Sequence, residues 1–407
     1  MEVAAPPPAL VLLTIEQDEA HPDSRVLLRI GQTLHRDQAK TAFVYDSRMT
    51  HNHKCTWADH PECPERVQLI FQELKLRGFA PHLLRVPARL VTKAEVGMCH
   101  ELEHWDNLER AVKLDADALR RWCDKHNSLF LNGPGSLEAA RLACGGVVEL
   151  IEMIMEGRAR NGLAVVRPPG HHAETHRAMG FCLFNTVAIA AARARALGAR
   201  RVLIVDWDIH HGNGIQEIFA EDPSVLYFSV HRHDRGTFFP CGDESRGRDA
   251  TFEASAAAIG EGLGRGTSVN VAWNTRGSAT RPGDAEYAAV WSEILMPIAT
   301  EFEPDIILVA AGFDAAEGDP LGGCYVTPEG YASMTRELMR LANGRLVIAL
   351  EGGYSLSATR VSAAACMGAL VGLHTKECTT NRKVLKNARV SLDSTRERHK
   401  EFWKSLC

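Results

Sequence analysis

Asp208 and His210 follow the apolar run 202–205 and stand two residues apart, in Val205-Asp206-Trp207-Asp208-Ile209-His210-His211-Gly212. If that run is a strand continuing through them, the two side chains share a face, because strand side chains alternate. A carboxylate and an imidazole on one face are two ligands of a metal site. A third ligand is offered by Asp314, just beyond the apolar run 306–310. Asp208, His210 and Asp314 then form a set with an open fourth position, the arrangement of a catalytic rather than a structural zinc. Zinc so held brings the pKa of bound water to about 7 and polarises carbonyls. On spacing alone Asp314 could equally cap a helix, as aspartates at strand-to-helix turns do.

Hydrolysis also needs a proton acceptor. Arg167-Pro168-Pro169-Gly170-His171-His172-Ala173-Glu174 follows the apolar run 162–166. Adjacent histidines can divide the work, one neutral and taking a proton, the other charged beside a carboxylate. A surface loop or a second metal site would use the same pair. Leu350-Glu351-Gly352-Gly353-Tyr354 closes the run 346–350. Its glycines free the backbone to present the Tyr354 hydroxyl to a developing oxyanion, although a tyrosine after Gly-Gly is often only a turn.

The elements that must position these residues alternate in type. Short apolar runs at 41–45, 162–166, 202–205, 225–229, 306–310 and 346–350 read as strands, and 138–155, 184–197, 285–302 and 328–342 read as helices. That alternation predicts an α/β fold, a mostly parallel sheet flanked by crossover helices. Such sheets bind ligands beyond the carboxyl ends of their strands, where all three clusters fall. Residues 1–40, with Pro6, Pro7 and Pro8 and one short helix or strand at 26–30, read as an extension outside the core. Residues 41–373 read as the catalytic domain, and 374–407 as a basic, solvated segment with a terminal helix over 391–405.

Composition sets outer bounds. Of 407 residues, 45% are hydrophobic and 24% charged, enough for a large core. A net charge of −5 argues against coating nucleic acid by bulk attraction. The 11 cysteines are odd in number and include no Cys-x-x-Cys pair, which favours reduced thiols over a disulfide framework. The apolar patch 9–13 lacks a basic lead-in and is a poor signal peptide. No apolar stretch approaches the roughly 20 residues of a membrane span. The expectation is a soluble cytoplasmic or nuclear protein with no direct nucleic-acid or membrane partner; its oligomeric state is not written in the sequence.

Taken together the motifs resemble the zinc-dependent histone deacetylases of class II, whose fold is the arginase-deacetylase α/β sheet. The likeness spans about residues 41–373. Its signatures are Arg167 to Glu174, Gly180-Phe181-Cys182, Val205 to Gly214, Ser229-Val230-His231-Arg232, Asn270-Val271-Ala272-Trp273-Asn274, Gly312 to Gly323 and Glu351 to Tyr354. Within class II the runs 206–214 and 312–323 are most similar to class IIb, above all to the second catalytic domain of the tubulin-deacetylating enzyme.

The resemblance implies zinc on Asp208, His210 and Asp314, with His172 as general base and acid and His171 as its electrostatic partner. Asp206 would orient His171, Asn213 would orient His172, and Tyr354 would polarise the scissile carbonyl. Phe181 and Phe239 would wall an acetyl-lysine tunnel beside Gly180, with Leu321 as gatekeeper and Ser128 accepting a substrate amide N–H at the rim. A structural potassium would lie among Asp206, Asp208, His210, Ser229 and Val230, and Arg66 would line an inner acetate channel. The implied partners are acetylated proteins or peptides, histone or non-histone such as tubulin.

Three other readings compete. An arginase-like enzyme needs a second metal, and Trp207 and His211 stand where further carboxylates would be wanted. An acetylpolyamine deacetylase of the family uses an acidic gatekeeper, and Leu321 is apolar. A catalytically weak acetyl-lysine-binding scaffold is disfavoured by the presence of Tyr354. His100, His104, His231 and His233 are expected to be packing or surface residues, and Cys182 and Cys324 have no assigned chemistry. Specificity would lie in rim loops 50–63, 245–266 and 275–281.

Overall fold

Residues 40–241, 250–275, 281–373 and 383–407 are described in a computed structural model, together with Glu16–Gln17 and Val26–Leu27, which pair antiparallel. Eight strands form one sheet: β1 Thr41–Val44, β2 Leu83–Val86, β3 Gly162–Ala164, β4 Val202–Asp206, β5 Val225–Arg232, β6 Ser268–Trp273, β7 Ile306–Ala311 and β8 Leu346–Leu350. Their order is β2-β1-β3-β8-β7-β4-β5-β6, and every neighbouring pair is parallel. The inner strands are continuous apolar runs because both faces of the sheet are covered.

Alternation along each strand deals side chains to two cores. Val202 and Ile204 of β4 join one core with the helices Leu102–Ala111, Pro134–Met155 and Thr186–Ala196. Leu203 and Val205 join the other, under the helices Pro328–Leu338 and Leu356–Leu370. The sheet and its two helical layers give the expected α/β architecture, a parallel sheet covered on both faces.

Two elements differ from expectation. The helix predicted over 285–302 is Asp284–Val290 and Met296–Phe302 joined by a π-helical turn, Trp291–Leu295. Pro297 has no N–H to return to the Glu293 carbonyl, and Arg396 Nη2 donates to that carbonyl instead, at 3.3 Å. The terminal helix runs over Lys386–His399 and is not a solvated appendage. Asn387, Ser391 and Thr395 donate to the carbonyls of Asn274, Ala272 and Asn270 at 3.1, 2.6 and 2.8 Å. Four residues of helix advance about 6 Å and two residues of strand about 6.6 Å, so the spacings nearly match along the edge strand. Among the described residues no helix is long and apolar enough to cross a membrane.

Candidate active site

The chemical residues converge beyond the carboxyl ends of the four central strands. His171 and His172 follow β3, Tyr354 follows β8, Asp314 follows β7, and Asp208 and His210 follow β4. One expectation needs correcting, because β4 stops at Asp206 and the ligand pair lies in the loop after it. Side-chain acceptors take over from the ladder there. Asp206 Oδ1 accepts the Asp208 N–H at 3.1 Å, and Asp208 Oδ1 accepts the His210 N–H at 2.8 Å. Two successive turns of this kind bring Asp208 and His210 together without strand alternation.

Asp208, His210 and Asp314 are all buried, and their ligand atoms lie within 4.8 Å of one another. His210 Nδ1 stands 3.0 Å from Asp208 Oδ1 and 3.1 Å from Asp314 Oδ2. The remaining carboxylate oxygens accept backbone N–H groups, Asp208 Oδ2 from Gly352 and Asp314 Oδ1 from Ile209, each at 2.8 Å. Burial and the neighbouring Asp208 charge push the Asp314 carboxyl up. Burial also opposes charge on Asp208, but the positive His171 and His210 outweigh it and hold that carboxyl well down. Two buried carboxylates converging on one imidazole are a donor set that calls for a cation. Gly352 is required for the approach, since a Cβ there would lie 2.3 Å from Asp314 Oδ2 and 2.5 Å from Asp208 Oδ2.

The paired histidines are held by partners of different kind, a carboxylate for one and an amide for the other. His171 Nδ1 faces Asp206 Oδ2 at 3.1 Å, and its Nε2 is 3.8 Å from Asp208 Oδ2. Burial works against its charge, but those carboxylates prevail and lift it to about 10. His172 Nδ1 donates to Asn213 Oδ1 at 2.8 Å, and Asn213 Nδ2 donates to Glu174 Oε1 at 2.9 Å. Burial and the positive His171 and His210 drive His172 well below its ordinary value, so it is neutral. The two rings are 3.9 Å apart. Gly180, at φ 56°, packs against His172, and a Cβ there would meet the ring at 2.5 Å.

Aromatic rings flank this centre. Phe239 meets the His172 ring edge-on at 5.0 Å, and Phe181 meets the Tyr354 ring edge-on at 6.1 Å. Burial and the nearby Asp314 and Asp208 charges keep the Tyr354 phenol well above its ordinary value, hence protonated. Arg66 lies with its guanidinium 5.3 Å from the Tyr354 ring centroid and donates to the Gly353 carbonyl at 2.6 Å. Ser128 and Leu321 are exposed, and the Ser128 carbonyl accepts the Phe181 N–H at 2.8 Å. Ser229 pairs in register with Asp206 across β4 and β5, its hydroxyl 2.8 Å from His231 Nδ1, and Val230 is buried beside it.

His100, His104, His231 and His233 are buried side chains outside the candidate metal triad. Three acids that matter here were not singled out by type and spacing. Glu351 Oε2 accepts the N–H groups of Gly170 and His171 at 2.6 and 3.0 Å, anchoring the histidine loop. Asp319 Oδ2 accepts the N–H groups of Tyr354 and Ser355 at 2.7 and 3.0 Å. Glu62 joins two buried arginines, 3.1 Å from Arg66 and 2.6 Å from Arg167. Glu351 and Asp319 do sit in the motifs themselves, each beside a glycine or proline, and that was the available signal.

Comparison with known proteins places this geometry. Residues 60–370 match the model of the histone deacetylase domain. Histone deacetylase 5 of Arabidopsis thaliana is 44% identical over 347 residues, covering 84% of this chain and 50% of that protein. The polyamine deacetylase HDAC10 of Homo sapiens is 40% identical over 371 residues, covering 90% of this chain and 53% of that one. The crystal structure of the HDA15 HD domain superposes with a TM-score of 0.78 at 39% identity, covering 91% of this chain and 96% of that chain. The chain spans about half the length of the curated relatives it matches. Those relatives include plant and fungal histone deacetylases as well as polyamine deacetylases, and they do not single out class IIb. Fold, convergent site and relatives agree that the chain belongs to the histone deacetylase family, on its class II side.

Proposed function

We propose that the chain hydrolyses Nε-acetyl-lysine in proteins, releasing lysine and acetate. The observation that carries this reading is the pair of differently held histidines beside the buried triad: His172 Nδ1 against the Asn213 amide oxygen at 2.8 Å and His171 Nδ1 against the Asp206 carboxylate at 3.1 Å. Zinc, when held by Asp208, His210 and Asp314, would supply Lewis-acid polarisation of the carbonyl and acidification of water. His172 takes the proton of the attacking water at Nε2, its Nδ1–H being committed to Asn213. His171 carries a fixed positive charge that favours negative charge developing nearby. The Tyr354 hydroxyl donates to the oxyanion, and His172 returns its proton to the leaving amine. Phe181 and Phe239 exclude water along the aliphatic stem of the lysine. A structural potassium beside Asp206 and Ser229 is part of this reading through the family resemblance, as are class IIb kinship and a cytoplasmic or nuclear setting.

A second reading, hydrolysis of small acetylated amines, draws on the relative named as a polyamine deacetylase. Leu321 offers no charge to a second substrate ammonium, which favours protein substrates. Turnover of an acetyl-lysine peptide is the test. Tyr354→Phe is expected to keep its metal yet lose on the order of 10²- to 10³-fold in turnover, as loss of an oxyanion donor does. Near wild-type turnover by that variant would overturn the assigned role. Higher kcat/KM for an acetylated polyamine than for the peptide would favour the second reading.

A further inference from the structure

Arg232 ends β5, and its whole guanidinium is engaged across two loops. Nε and Nη2 donate to Asp234 Oδ2 at 3.1 and 2.6 Å. Nη1 donates to the Gly322 carbonyl at 2.9 Å and reaches the Leu321 carbonyl at 3.4 Å. Its central carbon lies 4.1 Å from the ring centroid of Phe238. Phe238 stacks on the metal-ligand candidate His210, centroids 5.0 Å apart and planes 11° from parallel, while the next residue, Phe239, abuts His172. Asp234 in turn accepts the Thr275 N–H through Oδ1 at 2.6 Å. The lip at 321–322 is gripped from its other side too, because Asp319 Oδ1 accepts the N–H groups of Leu321 and Gly322 at 2.9 and 3.0 Å.

We propose that Arg232 is a specificity-setting positioning residue, which fixes the separation between the Leu321–Gly322 lip and the Phe238–Phe239 wall and so decides how wide an acyl-lysine enters. Resting on the deacetylase reading, this assigns the acyl-chain limit to a residue that touches no reacting atom. The guanidinium is suited to the task because it is planar, forks its donors and stacks on a ring face at once. Lysine keeps the charge but can make neither the fork nor the stack. Loosening the lip and wall weakens substrate binding and relaxes size exclusion, leaving the proton-transfer groups in place.

The experiment compares wild type with Arg232→Lys, using acetyl-lysine and butyryl-lysine peptides and hydrogen exchange on the same metal-loaded preparations. The variant is expected to raise KM for the acetyl peptide about tenfold while kcat stays within about threefold, the pattern of lost uniform binding. Its acetyl-over-butyryl preference in kcat/KM should fall about fivefold. Amides at 236–241 and 321–323 should exchange about tenfold faster, because local opening there becomes easier. Asp234→Asn, a milder change, should move all three readouts in the same direction. Unchanged exchange and KM in either folded variant would overturn the proposal, as would a kcat loss at constant KM. Faster exchange in the variants of a protein whose wild type turns over neither peptide would sustain the brace and reject the deacetylase reading instead.

Discussion

Asp319 accepts four backbone N–H groups, those of Leu321 and Gly322 on one oxygen and those of Tyr354 and Ser355 on the other. Asparagine in its place would turn an NH2 toward two of those donors, leaving them unpaired and the Tyr354 turn loose. Asp319→Asn is therefore expected to lower kcat by about 10²-fold, the scale of a misplaced catalytic group, with metal content unchanged. Steady-state kinetics beside metal analysis checks this, and a wild-type kcat would remove Asp319 from the positioning of Tyr354. Residue types pointed to Asp208, His210 and Asp314 as candidate ligands, since each follows an apolar run, but the loop that replaces the expected shared strand face was not legible. The work of Asp319 and Glu351 was not legible, because their partners are backbone N–H groups of other loops, which carry no residue identity.

The terminal helix Lys386–His399 closes the open edge of the sheet by aligning Ser391 and Thr395 with alternate carbonyls of β6 and Asn387 with the Asn274 carbonyl just past its end. Thr395→Val would leave the Asn270 carbonyl without that donor, at an expected cost of about 1–3 kcal/mol for an unsatisfied buried acceptor. The midpoint of urea unfolding reports it; an unchanged midpoint would mean the helix seals the edge by packing alone. The strand pattern was readable wherever both faces are buried. β2 and β6 escaped it, and both are edge strands. β2 is interrupted by Arg85, whose guanidinium lies over the Phe43 and Phe71 rings, and β6 by Asn270, whose side chain donates to Gln216 and Ala258. The π-helical turn depends on Pro297 and on a distant Arg396, so local periodicity read it as plain helix.

At the scale of the molecule, burial holds five histidines, His53, His100, His104, His231 and His399, down to about 3 to 4. His100 shows why the neutral form is locked: Nδ1 donates to the Glu174 carbonyl at 2.8 Å, and Nε2 accepts the Asn185 N–H at 2.9 Å. Unfolded, each takes a proton near pH 6.5, so their contribution to stability is full above that value. It is lost as pH falls toward 3 to 4, by up to about 1.4 kcal/mol per pH unit for each. The melting temperature of His100→Gln should accordingly approach that of wild type between pH 7 and 5; parallel curves would contradict the locked neutral ring. The order of the sheet has a different kind of consequence. β8, the last strand described, enters between β3 and β7, which precede it by some 180 and 35 residues of chain. A nascent chain that paired its earlier strands first would leave those two edges bare in the middle of the sheet, a state exposed to aggregation. Only when residues 346–354 arrive do the edges close and Tyr354 reach the histidines and carboxylates. Completion of the site thus comes last, because a chain stopped short of 354 would lack, with Tyr354, the Gly352 N–H that holds Asp208 and the Glu351 carboxylate that anchors the histidine loop.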